Sequence, residues 1–498
     1  MKKLVLVVID AMKPAMLERA VAGGRAPALE LLIERGEHVD DCVAAFPSVT
    51  PVCAASIATG AGPDRHEIPS MNWYHRDEGR YVEYGTSFKA SQAFGFKQSL
   101  TDTIYNMNLE HLSAETPTVF ERLDDAGLRT AGTTYLMYRG RHRHEVANET
   151  ALTRLATTVF RHAVYGPKEF FYADLYASRR TGCRSQLGMP GVRDQHSGCV
   201  GSYLVEHDLF DFLLLSLPDN DTHSHRNGPL AQVGSLAEAD HQIERLMQAA
   251  GGADAFLADH AMIVCSDHSQ SQVEEEIDLF RAFDGFAVQP ATRVRARGVE
   301  GEIALCPSSR SAQVYVLDRE REAELVRRAE RTLLALDGVD LVMRMTDHPD
   351  GEAVVRGRRG DEVLELRLAP RGDLIDLRGE RWSVEGDLAL LALSAREGRV
   401  ASAVYPDALG RVWSALRCRT AGELLASARP GFEFLDWGGA HHVGGGSHGA
   451  LHANDSLGSL IWCGTGPPAD SREQWALRDV VPMICEHFGV EGRSSSSR

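Results

Sequence analysis

Aspartate and histidine recur in this chain where an apolar run ends. Asp10 directly follows the run Leu4–Ile9. A carboxylate in that position is costly to bury unless it is paired or bound to a metal. A second apolar run, Phe210–Leu217, leads through Pro218 into Asp219-Asn-Asp221-Thr-His223-Ser-His225. Asp and His spaced in this way can face one metal from a single helical turn. Two registers are open, Asp219 with His223 and Asp221 with His225. A third run, Ala261–Cys265, ends in Ser266-Asp267-His268. The pair Asp259-His260 precedes that run, at the opposite edge of a sheet, and reads as surface. Near the end, Gly444-Gly-Gly-Ser-His448-Gly449 sets one histidine among glycines, which let backbone approach a ligand closely. His441, His442 and His452 compete with it.

One hydroxyl stands out. Thr50-Pro51 within Phe46-Pro-Ser-Val-Thr50-Pro51 fits a helix start, with Thr50 as cap and Gly60 as stop. Such a start gathers free N–H groups and the positive end of the helix dipole, which suits an anion. A hydroxyl there can act as a nucleophile if a metal lowers its pKa. Taken alone, Thr50 reads as a simple cap. The combined inventory of Asp, His and hydroxyl suits two divalent cations. Zinc is the usual choice for mixed oxygen and nitrogen ligands, ahead of manganese or iron.

These residues need a scaffold, and the pattern supplies one of the α/β class. Buried strands at Leu4–Ile9, Phe210–Leu217 and Ala261–Cys265 alternate with helices at Ala28–Arg35, Thr118–Ala126, Gly201–Asp208 and Ala237–Ala250. Thr130–Thr134 and Ser459–Cys463 read as further strands. Open sheets of this kind bind ligands at the carboxyl ends of their strands. Residues 1–274 and 436–490 are expected to form a discontinuous core, with 275–435 an inserted smaller α+β subdomain and 491–498 a disordered tail. Segments 75–115 and 140–195 read as long excursions, candidates for lids.

Composition bounds the function. The chain has 498 residues with 53 Lys and Arg against 70 Asp and Glu, a net charge of −17. That field repels nucleic-acid backbones and anionic membranes, so an anionic substrate must be drawn in locally. Nine cysteines, an odd number without a C-x-x-C pair, suggest reduced thiols and a cytoplasmic setting. The N-terminal apolar run meets Asp10 and Lys13 too early for a signal peptide, and no stretch is long enough for a membrane span. Oligomeric state is not readable.

The order of motifs resembles the alkaline phosphatase superfamily, and within it the nucleotide pyrophosphatase/phosphodiesterase branch. The carriers are strand-end Asp10, F-P-S-x-T ending at Thr50, then Thr59-Gly60, Pro63 and His66. Asp221-x-x-x-His225-x-x-Gly228-Pro229, Ser266-Asp267-His268 and Gly446-Ser-His448-Gly449 follow. The resemblance covers about residues 4–270 and 440–490. It implies a central, mostly parallel sheet flanked by helices. It also selects the Asp221 and His225 register. One cation would then be held by Asp221, His225 and His448, the other by Asp10, Asp267, His268 and the Thr50 oxygen. Asn72 would bind a non-bridging phosphate oxygen. The implied activity is hydrolysis of phosphodiester or nucleotide pyrophosphate bonds through a phospho-threonine. Glu67 stands where the family usually has Gly, and Pro51-Val52-Cys53 replaces the usual F-P-N. A phosphonate hydrolase of the phosphonoacetate type, a phosphomonoesterase and a metal-stabilised scaffold are the alternatives. The expected partner is a small phosphate ester or nucleotide, with no long nucleic acid and no membrane. Arg139, Arg141 and Arg143 read as a solvated face rather than a phosphate clamp. Trp73, Tyr74, Tyr135 and Tyr138 could stack a base or pack in the core.

Overall fold

A computed structural model describes residues 1–146, 163–172, 175–184, 191–291, 301–346 and 351–491. The tail from 492 and part of the 140–195 excursion lie outside the described residues. At the centre is an eight-stranded sheet. Its spatial order is Glu37–Val43, Leu457–Cys463, His260–Cys265, Lys3–Ile9, Phe212–Leu217, Thr130–Gly132, Glu169–Tyr172 and Tyr176–Ala177. The five strands from His260–Cys265 to Glu169–Tyr172 run parallel to one another, and Leu457–Cys463 is antiparallel to both its neighbours.

The continuous apolar runs are explained by cover on both faces. Leu4, Leu6 and Val8 belong to one buried cluster, and Val5, Val7 and Ile9 to another. Period-two alternation therefore sends every residue of this strand into a core. One face is closed by helix Thr50–Thr59 together with Val480–Phe488. The other is closed by Pro14–Ala22, Pro27–Arg35, Arg193–Glu206 and Val233–Ala249. Helix Val119–Asp125 starts with a capping box between Thr118 and Glu121.

Residues 303–428 carry a second, nine-stranded sheet, with helices Glu322–Leu334 and Ala408–Arg417. The strand–helix–strand order expected around 313–344 is present as Ser311–Val316, Glu322–Leu334 and Val339–Met345. The chain leaves the core along Ser271–Ile277 and returns along Gly431–Phe434, and these two strands pair in parallel.

Four sequence expectations need correction. Segment 75–115 is no structureless excursion: it completes a hairpin (Asn72–His75 with Arg80–Glu83) and continues as helices Phe88–Phe94 and Phe96–Thr101 and a π-helix, Asp102–His111. His260 is not on the surface but buried, stacked on Phe256 with ring centroids 4.4 Å apart. Arg139 is not solvated: it donates to the carbonyls of Leu112, Ser113 and Thr116 and pairs with Glu121. The thiols are not all reduced, because Cys183 and Cys199 form a disulfide while the other seven are free and buried. Scattered single cysteines carry no pairing signal, and only the fold brings these two together. Trp73, Tyr74, Tyr135 and Tyr138 are all buried, so they serve packing. No helix among the described residues is long and apolar enough to cross a membrane.

Candidate metal centre

The register of three adjacent strands decides the site. Lys3–Ile9 lies between Phe212–Leu217 and His260–Cys265, with Ile9 opposite Leu217 and Val8 opposite Cys265. Their carboxyl ends therefore finish level, and Asp10, Asp221 and Asp267 emerge at one edge of the sheet. Asn220 ties two of these ends together by donating from Nδ2 to the Asp10 carbonyl at 2.8 Å. Ala11 Nα and His268 Nα both donate to Asp267 Oδ1, at 3.1 and 2.9 Å, which orients that carboxylate.

Two groups of ligand atoms result, Asp10–Asp267–His268 and Asp221–His225–His448. In the first, His268 Nε2 is 3.6 Å from Asp10 Oδ1 and 3.4 Å from Asp267 Oδ2. In the second, His225 Nε2 is 3.3 Å from Asp221 Oδ2, and His448 Nε2 is 3.8 Å from Asp221 Oδ1. The groups abut, since the His268 and His448 rings stack with centroids 3.7 Å apart. The residues of the rival register have other partners. Asp219 is committed to Arg193 and to the Asp194 backbone, and His223 Nε2 faces the Ala231 carbonyl.

Each histidine is held in one tautomer. Nδ1 of His225, His268 and His448 lies 2.8, 3.0 and 2.8 Å from the carbonyls of Gly446, Ser269 and Ser48. A carbonyl only accepts, so Nδ1 carries the proton and Nε2 presents its lone pair to the centre. Asp10 Oδ1 is buried with no hydrogen-bond partner among the described residues. Burial, then the charges of Asp267 and Asp221, pushes the Asp10 carboxyl well above its ordinary range. Burial likewise raises Asp267 to about 6. Burial opposes ionisation of Asp221 too, but the three histidines outweigh it and hold that carboxyl low. Burial lowers His268 to about 4, and burial with His268 beside it lowers His448 to about 3. Asp10 and Asp267 thus resist ionisation beside the neutral His268, while, against the pull of burial, Asp221 raises the His225 pKa; both groups are donor sets that divalent cations would satisfy.

Thr50 stands beside the first group. It is the first residue of helix Thr50–Thr59, and Val49, not Thr50, is the cap. The extended backbone at Val49 makes the turn into the helix, so the hydroxyl is not spent on capping. Thr50 Oγ1 instead lies 3.2 Å from His268 Nε2. Asn72 opens the hairpin of Asn72–His75 and Arg80–Glu83. It is fully buried, and its Nδ2 donates to the Val82 carbonyl (3.1 Å) and Glu83 Oε2 (3.0 Å).

Several residues support these groups from outside. Gln270 donates from Nε2 to the Asp221 side chain. His442, a named competitor of His448, packs its ring on His225 at 4.2 Å and lies 3.0 Å from Glu433 Oε2. Backbone carbonyls of Ser48, Ser269 and Gly446 hold the tautomers, and no residue type advertises that role. The glycine run has a steric cause: a Cβ on Gly445 would stand 2.0 Å from the His225 carbonyl oxygen.

The same residues fall within a known family. A family model, "Type I phosphodiesterase / nucleotide pyrophosphatase", matches residues 4–449. The chain belongs to that family. Solved structures share its fold, that of the alkaline phosphatase superfamily. Murine ectonucleotide pyrophosphatase/phosphodiesterase 5 aligns with TM-score 0.57 and 12% identity over 100% of this chain and 98% of its own. The human form of that protein gives 0.56 and 13%, over 100% and 97%. Phosphonoacetate hydrolase from Sinorhizobium meliloti 1021 gives 0.53 and 18%, over 98% and 96%. No curated protein matches the sequence. The chain is thus an enzyme of phosphoester-hydrolase type with candidate divalent-metal ligands.

Proposed function

We propose that this enzyme hydrolyses phosphodiester or nucleotide pyrophosphate bonds of small substrates through a phospho-threonine on Thr50. The observation that carries the reading is Thr50 Oγ1 at 3.2 Å from His268 Nε2, beside two abutting ligand groups. Asp221, His225 and His448 would hold one cation, and Asp10, Asp267 and His268 the other, with zinc favoured and manganese second. Bound there, divalent cations supply Lewis acidity toward phosphate oxygens and lower the pKa of a neighbouring hydroxyl.

The chain's own residues do the rest. Thr50 Oγ1 is the attacking atom, and the buried helix behind it fixes its position. Attack forms an O–P bond at Thr50 and breaks the bond from phosphorus to the leaving oxygen of the alcohol or phosphate group, which departs with the proton equivalent given up by the Thr50 hydroxyl. Water then cleaves the Thr50 O–P bond, its OH going to phosphorus and its other proton back to Thr50 Oγ1. Asn72 is assigned to a non-bridging phosphate oxygen, which requires its Nδ2 to turn away from Glu83 Oε2. Family membership supports the substrate class, as does an inactive Thr-to-Ala variant of the murine neighbour, described in complex with AMP. Arg139 and Arg141 are engaged with Glu121, far from serving as a clamp, which disfavours a phosphomonoester. Seven buried free thiols support a cytoplasmic setting, against which the Cys183–Cys199 bond weighs. The parallel pairing of Ser271–Ile277 with Gly431–Phe434, where the chain leaves and re-enters the core, supports a boundary near 275 and 435.

A second reading, phosphonate hydrolysis, is favoured by the likeness to phosphonoacetate hydrolase. Turnover of bis-p-nitrophenyl phosphate, mono-p-nitrophenyl phosphate and phosphonoacetate with added zinc or manganese separates the readings. The diester is expected to turn over fastest, and Thr50→Ala to lower its kcat by about 10³-fold or more. Full diesterase activity in Thr50→Ala would refute the nucleophile. Preference for phosphonoacetate would establish the second reading.

A further inference from the structure

A second cluster of ligand-type side chains lies outside the catalytic groups. The hairpin of Asn72–His75 and Arg80–Glu83 turns through residues 76–79, with Gly79 at φ 63°. That turn places Glu78 over His75, whose Nε2 is 3.6 Å from Glu78 Oε1. The π-helix Asp102–His111 ends against the same hairpin and delivers His111. One ligand atom each of His75, Glu78 and His111 lies within 4.8 Å of the others.

The surroundings of His111 point to a missing partner. The residue is 4% exposed, and its Nε2 has no hydrogen-bond partner among the described residues. A buried polar atom without a partner is costly. Its Nδ1 lies 2.7 Å from the Tyr84 hydroxyl, an outer contact of the kind that orients a ligating imidazole. The Trp73 ring stacks on His75 at 5.3 Å and meets His111 edge-on at 5.1 Å, so both imidazoles are held in place. Arg80 does not fill the gap, because its guanidinium is engaged by Asp102 and by the other oxygen of Glu78.

We propose that His75, Glu78 and His111 form a third divalent-metal site, distinct from the two catalytic groups. Two imidazoles and one carboxylate suit zinc, and cobalt(II) as its spectroscopic substitute, with a fourth position left for water. Binding requires the 3.3 Å contact from the Glu78 N–H to His75 Nδ1 to open, so that Nδ1 carries the proton and Nε2 the metal. The site pins the hairpin, which begins at Asn72, to the end of the π-helix. It is a structural clamp and contributes no reacting atom.

The test is metal counting on the full chain, stripped with chelator and reloaded with zinc or cobalt(II). Glu78→Ala and His75→Ala are each expected to lose one metal per chain by elemental analysis. They should also lose one component of the cobalt d–d absorption and part of the metal-induced rise in Tm. Glu78 is exposed on the turn, so its removal leaves the core packing in place. Asp10→Asn and His448→Gln are expected to lose metal from the catalytic groups and keep this component. A protein whose catalytic groups bind nothing would still show the cluster as one cobalt absent from Glu78→Ala. Metal content and cobalt spectra of both variants equal to wild type would overturn the proposal.

Discussion

His66 shows how one buried side chain sets a pH limit. It is fully buried, with Nδ1 accepting from the Ile68 N–H at 3.1 Å and Nε2 3.3 Å from Ser56 Oγ. Burial lowers its pKa to about 3, because a second proton would be desolvated and would face the Ile68 donor. The unfolded chain takes up that proton near pH 6.5, so between about pH 6.5 and 3 the unfolded state binds more protons. Stability is therefore full above pH 6.5 and lost as pH falls, by on the order of 4 kcal/mol from this residue. Urea midpoints measured from pH 7 to 4 are expected to fall in wild type and to fall less steeply in His66→Gln. Equal slopes would mean that His66 is not a source of acid sensitivity. The residue was legible in the sequence only as a family motif position. Its burial against Ser56 depends on the helix it folds back upon.

At the scale of elements, the second sheet reaches the edge that carries the candidate metal ligands. Arg310, from the turn between Ile303–Ser308 and Ser311–Val316, is fully buried and pairs with Asp455, which is equally buried. Its guanidinium also donates to the carbonyls of Phe432 and Arg429, and its backbone N–H donates to the His448 carbonyl at 2.8 Å. Asp455 in turn accepts from Ala450 and Ser271. The pair thus fastens the segment carrying His448 to both sheets. Removing one partner of a buried ion pair strands the other charge, so Arg310→Ala is expected to cost about 3–5 kcal/mol. Chemical denaturation measures this, and a loss under 1 kcal/mol would show that the pair is dispensable. The individual strands and helices were readable from apolar runs and caps. This joint was not, because neither Arg310 nor Asp455 lies in a recognisable pattern.

At the scale of the whole molecule, charge separates substrate classes. A net of −17 opposes any anion approaching from a distance. Salt screens that repulsion beyond about 8–10 Å, while contacts inside a closed site are screened much less. For a nucleotide ester, kcat/KM is expected to rise roughly 2- to 3-fold between about 20 and 200 mM NaCl. Initial rates at substrate well below KM measure it. A fall with salt would indicate a positive patch that steers the substrate instead.

The sequence by itself determined where ligand-type residues stand: strand-end carboxylates, a D-x-x-x-H turn in two registers, the glycine-flanked His448 and the Thr50 hydroxyl. Local rules suffice for that much, because apolar runs define buried strands and their ends define where polar residues emerge. It determined the α/β class for the same reason. Tertiary structure alone decided what depends on distant segments. Strand register levelled Asp10, Asp221 and Asp267 at one edge, and carbonyls of Ser48, Ser269 and Gly446 chose the histidine tautomers. It turned Asn72 toward Glu83, joined Cys183 to Cys199, and set His111 against His75 and Glu78. Each of these is a contact between residues far apart in the chain or within an irregular turn. Neither composition nor periodicity encodes such proximity, and only the packed backbone supplies it.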